Sequence, residues 1–242
     1  MGYRELAPPP GLSALVECGW TATGLTGPAR ILPDGCMDLI RREDQTLVAG
    51  PDTTAFLSRS GPEPVRGLRF HPGVLPRLLG VPAAEVRDTR VALSELRAVG
   101  RDRSLTELAE TMAAYPPLPE TAPWSLTTLG EVTRNLARGA SVADTAREAG
   151  WSARTLQRQC TAVYGYGPAM LRRVLRFRRA TRLLDTGVAP AEVAFRAGYS
   201  DQPHLHREIR TLAGLPLGQL VAGQPAAANR SIDVPSGSLT VA

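Results

Sequence analysis

Lysine is absent: all 28 basic residues of the 242-residue chain are arginine. The bias fits a GC-rich coding sequence and by itself assigns no function, although arginine offers phosphate and guanine a bidentate partner that lysine does not. Cysteine is scarce, and Cys18, Cys36 and Cys160 are odd in number, far apart and without a CxxC spacing. That suits reduced thiols in a reducing compartment better than a disulfide framework. No apolar run approaches the length of about 20 residues that crosses a bilayer. The start MGYRELAPPP also lacks the basic-then-apolar order of a secretory signal. The expected location is the cytoplasm, with no membrane partner.

The common signatures of enzyme chemistry are missing too. No Gly-rich phosphate loop, no GxSxG and no HExxH occurs, so neither an enzyme nor a cofactor is expected. His71 is the one histidine before the middle of the chain. Cys18, Cys36, Asp38 and His71 offer a nominal ligand set, but a lone histidine among scattered thiols is more often structural, and no metal is expected.

What is present describes a folded chain, 43% hydrophobic and 21% charged, long enough for two modest domains. Charge is unevenly shared. Residues 1–123 hold 13 arginines against 15 acids, whereas residues 124–242 hold 15 arginines against 8 acids. A basic half beside a near-neutral one suggests a polyanion-binding module joined to something else.

Residues 12–70 read as short β segments, at 14–23, 29–32, 36–41, 46–49, 55–58 and 65–70, separated by turn chemistry. They predict a small antiparallel sandwich or barrel. Helical patterns follow at 74–79 and at 104–114, where Ser104 is placed to cap. The fold class expected is thus α+β in two domains: a regulatory domain over 1–115 and a Pro-rich linker over 116–123, where Pro116, Pro117, Pro119 and Pro123 forbid a helix. An all-α domain over 124–220 and a disordered tail over 221–242 complete it.

The helical half contains a repeat offset by 48 residues, ADTAREAGWSARTLQR against AEVAFRAGYSDQPHLHR. Each copy sets a small residue four positions before a glycine, then an aromatic and a serine: Ala146, Gly150, Trp151 and Ser152, then Ala194, Gly198, Tyr199 and Ser200. A helix-turn-helix needs this order. The alanine admits a close helix approach, the glycine takes the positive-φ turn, the aromatic fills the wedge and the serine caps the next helix. Ser141 with Asp144 opens the first unit as a capping box. One copy would suit any helical hairpin, but two in register favour a tandem pair.

Leu156, Cys160 and Val163 share a face in the first unit, as do Leu205, Ile209 and Leu212 in the second. The opposite faces present Arg154, Gln157 and Arg158, and then Gln202, Pro203, His206 and Arg207, types able to read base edges. Residues 168–184 join the units as a helix studded with Arg172, Arg173, Arg176, Arg178, Arg179 and Arg182, expected to hold the readers apart and to line phosphates.

The segments SARTLQR, PAMLRRVLRFRRATRLL and AEVAFRAGYSDQPHLHREIRTLAGLPLGQL resemble the DNA-binding domain of the AraC/XylS family of bacterial regulators, over about residues 129–220. The resemblance implies sequence-specific binding to double-stranded DNA and transcriptional control, activation included. It places base contacts on Arg154, Gln157, Arg158, Gln202, His206 and Arg207. Phosphate contacts are expected at Ser152, Thr155, Arg172, Arg173, Ser200 and His204. Cys160, Leu205 and Ile209 stand where the family usually has Phe; they remain apolar. LPDGCMDLI, VAGPDTTAFL, GLRFHPG and LLGVPAAEVRDTRVAL look like the N-terminal domain of a group of actinobacterial members, which implies a cupin-like barrel. Candidate partners are then a small-molecule effector, RNA polymerase and a second copy of the chain, and the expected setting is the bacterial nucleoid. Two alternatives stay open: a DNA-repair alkyltransferase with Cys36 as acceptor, and a non-specific nucleoid-associated protein.

Overall fold

The computed structural model describes residues 2–24, 28–58, 63–98 and 103–223. The tail expected after Val221 therefore lies, from residue 224 onward, outside the described residues. The amino-terminal half forms a six-stranded antiparallel sheet with spatial order β1-β2-β7-β4-β5-β8. Its strands are β1 (Gly2–Leu6), β2 (Val16–Thr23), β4 (Met37–Arg42), β5 (Gln45–Ala49), β7 (Val65–Phe70) and β8 (Arg90–Ala92). A separate two-stranded ribbon pairs β3 (Ala29–Ile31) with β6 (Phe56–Ser58). The sequence pattern missed β1 and β8. The first carries mixed, half-exposed residues and the second has three, too little periodicity to register as a strand.

Alternation along the strands gives the sheet two unlike faces. Leu39, Leu68 and Phe70 pack on α1 (Leu75–Leu79) and α3 (Leu105–Ala113) in one apolar cluster. Ser104 caps α3 as expected, in a reciprocal capping box with Glu107. Trp20, Asp38 and Arg69 sit on the other face, toward the ribbon. Gly67, paired with Trp20 across β2 and β7, must be a glycine: a Cβ there would stand 2.1 Å from the indole. A 3-10 turn (Ala83–Val86) and α2 (Leu93–Leu96) flank β8.

The carboxy-terminal half is helical: α4 (Leu126–Ala137), α5 (Val142–Glu148), α6 (Ala153–Tyr164), α7 (Pro168–Asp185), α8 (Pro190–Ala197), α9 (Gln202–Ala213) and α10 (Leu217–Gly223). It is not a separate bead. Leu129, Leu136, Leu156, Val163, Tyr164, Leu171 and Leu175 belong to the same buried cluster as the sheet and α1. A second cluster holds Phe177, Ala180 and Leu184 of α7 against α8 and α9, and it includes Leu32 from the sheet half. At 18 residues, α7 is about 27 Å long and runs from one cluster to the other.

Candidate nucleic-acid interface and effector cavity

Both helix-turn-helix units close on a glycine with left-handed backbone, Gly150 at φ 71° and Gly198 at φ 81°. Ala146 and Ala194 are buried at the helix contacts. Trp151 stacks on Trp124 at 5.1 Å, which ties the first turn to the start of α4. Tyr199 is buried under the Arg176 guanidinium, 4.4 Å from its ring, with the His204 ring edge-on beside it. Ser141 and Ser152 accept from the backbone N–H groups of Asp144 and Thr155, as the capping pattern requires.

The second reader departs from the expected register. Asp201, not Ser200, caps α9, and its carboxylate accepts from the His204 N–H at 2.6 Å. The repeat is therefore offset by 48 residues at the turn glycines but by 49 at the caps Ser152 and Asp201, because the second turn holds one more residue. Gln157 and Arg158 correspond in place to His206 and Arg207, while Arg154 falls opposite Pro203. A Ser-for-Ser alignment hides this, whereas the buried leucines, Leu156 and Leu205, reveal it.

Leu156, Cys160 and Val163, and likewise Leu205, Ile209 and Leu212, point into the core. Cys160, Leu205 and Ile209, the residues where phenylalanine is usual, are completely covered. Arg154, Gln157 and Arg158 stand exposed on α6, and Gln202, His206 and Arg207 on α9. Gln157 lies across Gly167 at the head of α7, so that a Cβ at Gly167 would meet its amide nitrogen at 2.3 Å. Gln202 and His206 touch each other at 3.3 Å. Ser200 is within 3.0 Å of the His204 ring, and Ser152 within 2.9 Å of Thr155. Arg210, which sequence reasoning passed over, is also exposed, one turn beyond Arg207. Its spacing of three from Arg207 was the available signal.

The arginines of α7 were expected on phosphates, and most are engaged inside the protein. Arg173 and Arg176 reach Glu208 of α9 at 2.7 and 3.4 Å, fastening the reader to the strut. Arg178 and Arg182 both reach Glu17 of β2 in the other half. Arg172 makes a long bond to the Ala140 carbonyl, 3.4 Å, and Arg179 is exposed. Sequence alone gave no sign of these acids, which lie 32 to 165 positions away.

Between the sheet and the ribbon lies a cavity of about 420 Å³. Trp20, Ile31, Ile40, Leu47 and Phe56 supply much of its wall. At its polar end Arg69 is buried among Glu5 at 3.0 Å, Asp34 at 3.3 Å and Asp38 at 3.5 Å. Trp20 donates its indole N–H to Asp38 at 3.0 Å. Burial lifts the Asp38 carboxyl to about 6 despite the nearby Arg69. The ribbon over this cavity is fastened to the second reader: Ala55 N–H donates to the Leu212 carbonyl at 2.7 Å, and Arg30 to that of Ala213 at 2.8 Å.

Cys36 also borders the cavity, with its thiol against Glu17 at 3.3 Å. Burial first, then the Asp34 and Glu17 carboxylates, push that thiol well above its ordinary range. An alkyl acceptor needs the reverse, a favoured thiolate. Burial likewise lifts Cys18 to about 12. His71 rests on the Ser13 carbonyl at 3.2 Å. Among the described residues no group of three or more His, Cys, Asp or Glu is arranged to hold a metal ion, and no helix is long and apolar enough to cross a membrane.

Comparison with known proteins divides the chain in the same way. Residues 128–222 match a family model described as a helix-turn-helix domain, and residues 4–92 match one described as a domain of unknown function (DUF6597). An uncharacterized HTH-type transcriptional regulator of Bacillus subtilis (strain 168), YbfI, is 35% identical over 69 residues. That is 28% of this chain and 25% of YbfI, so the match spans about a quarter of that relative's length. Among solved structures, ToxT from Vibrio cholerae aligns over 92% of this chain and 98% of its own at 9% identity and a TM-score of 0.48. An unsaturated fatty acid bound ToxT from V. cholerae strain SCE256 aligns over 95% and 96%, at 9% identity and a TM-score of 0.46. Likeness this loose transfers neither a residue nor a ligand. Residues 128–222 thus match a helix-turn-helix domain, in keeping with the resemblance of that segment to the DNA-binding domain of the AraC/XylS regulators.

Proposed function

We propose that this protein is a sequence-specific regulator of transcription that sets α6 and α9 into adjacent major grooves of double-stranded DNA and is controlled through its N-terminal half. The observation that carries the reading is the paired arrangement of the readers. Each buries one apolar face, opens behind a left-handed glycine and leaves Arg, Gln or His side chains exposed near its N-terminus. Arg158 and Arg207, at matching places, suit bidentate contact to guanine, while Gln157 suits adenine. Ser152, Thr155, Arg172, Arg173, Ser200 and His204 are assigned to the flanking phosphates, with Arg173 the weakest of them because Glu208 already holds it.

Control from the N-terminal half is supported by the ribbon over the cavity, whose bonds to Leu212 and Ala213 end on α9. A small effector that moved the ribbon would act on the second reader directly. Footprinting on a bound site tests the reading. Protection of an asymmetric stretch of about 15–20 base pairs, in two successive major grooves per chain, is expected. One protected groove per chain would sink the tandem arrangement, and equal protection of every sequence would favour a nucleoid protein instead.

A further inference from the structure

The walls of the cavity and its charge suggest different halves of one ligand. Its sides are largely carbon, with Trp20 and Phe56 supplying aromatic surface. At its polar end Asp34 and Asp38 line the cavity beside Arg69, which Glu5 also engages from behind the wall, so that this cluster carries two more negative than positive charges when all are ionised. Neighbouring charges correct this only in part. Arg90 is matched by Asp52 at 2.6 Å, and Arg42 and Glu63 are exposed. Arg178 and Arg182 together meet the single Glu17 behind Cys36, a surplus of one positive charge that leaves an excess of one negative charge around the polar end. One Glu5 carboxylate oxygen and the Arg69 Nε–H are buried with no hydrogen-bond partner among the described residues, although Arg69 Nε stands 3.3 Å from Asp34 and 3.5 Å from Asp38. Burial raises the Glu5 and Asp38 carboxyls even with Arg69 beside them.

We propose that this cavity binds a hydrophobic, aromatic amine, its rings against Trp20 and Phe56 and its ammonium group on Asp34 and Asp38. An ammonium offers three donors and one positive charge, which meets both the spare acceptor positions of the two carboxylates and the charge excess. Aromatic rings beside the acids add a favourable surface for the same cation. A carboxylate ligand of equal shape would bring a further negative charge against Asp34 and Asp38, whose charge Arg69 already offsets together with that of Glu5. The inference deepens the control role given to the N-terminal half and rests on it for its regulatory consequence, though the binding itself does not.

The test is calorimetric titration of the full chain with three molecules of one shape: 2-(1-naphthyl)ethylamine, 2-(1-naphthyl)ethanol and 1-naphthylacetate. The amine is expected to bind about tenfold or more tightly than the acetate, which corresponds to one favourable charged contact, with the alcohol between them. Asp38→Asn should narrow the amine's lead. Acetate binding equal to or tighter than that of the amine overturns the proposal, as does no binding by any of the three at about 1 mM, a concentration set by the weakest useful affinity. Should the variant fail to fold, the ranking on the unaltered chain still decides. A chain that ranks the amine first but shows no footprint loses the regulator reading and keeps this one; a clear footprint with the acetate favoured does the opposite.

Discussion

Asp38 and Glu208 are both acids placed largely inside the protein, but their settings differ. Glu208 has Arg173 and Arg176 to itself, whereas Asp38 shares Arg69 with Glu5 and Asp34. Burial, which the shared Arg69 offsets only in part, moves the Asp38 carboxyl from its usual 3.8 up to about 6 on folding. A group raised on folding lends stability that is complete below its unfolded value and lost as pH rises through its folded value. Between about pH 4 and 7 the Asp38→Asn variant should gain on the parent by roughly 2 kcal/mol, read by denaturant titration at each pH. A constant difference across that range would contradict the burial of this charge. On the DNA side, Arg158→Ala and Arg207→Ala should each lose about 1–3 kcal/mol on the specific site with little change on random DNA, while Arg172→Ala should weaken both alike. Binding titrations on the two DNAs check this, and equal losses for all three would remove the base-reading role.

Helix α9 shows what a cap decides. Ser200 and Asp201 are adjacent and either could start a helix, but it is the Asp201 carboxylate that accepts the His204 N–H. Ser200 turns its hydroxyl to the His204 ring instead. Asp201→Ala and Ser152→Ala should each lower stability by about 1 kcal/mol, and Ser200→Ala by only a few tenths. Melting curves of the three variants measure it. A loss at Ser200 equal to that at Asp201 would put the cap back at the serine and the repeat back at one offset throughout. In sequence, helix α7 is a strut lined with arginines suited to phosphates; its periodicity locates the helix, but charge composition does not reveal a partner that is distant in sequence. Glu17 and Glu208 turn four of its arginines into internal fastenings.

At the scale of the whole molecule, the sheet half and the first reader share one apolar cluster, from Leu39 and Phe70 through Tyr164 and Leu171. Cutting the chain at the Pro-rich segment would uncover both sides of that cluster. The two parts are therefore expected to unfold together, in a single calorimetric transition whose van't Hoff and calorimetric enthalpies agree. Two resolved transitions would show that the shared cluster contributes little. The same continuity gives an effector a short route to DNA, because the ribbon that covers the cavity also holds the end of α9.

The sequence by itself determined the local matters: the two glycine turns, the cap at Ser152, the apolar stripes of α6 and α9, and with them the kind of domain that binds DNA. Each of these is written within a turn or two of helix, where spacing fixes which residues meet. Tertiary structure alone decided that Arg69 lies among three acids, that Cys36 is a covered thiol, that the ribbon is bound to α9, and that four of the arginines of α7 face Glu17 and Glu208. Those pairs come from distant parts of the chain, and burial sets their chemistry, which no window of sequence contains.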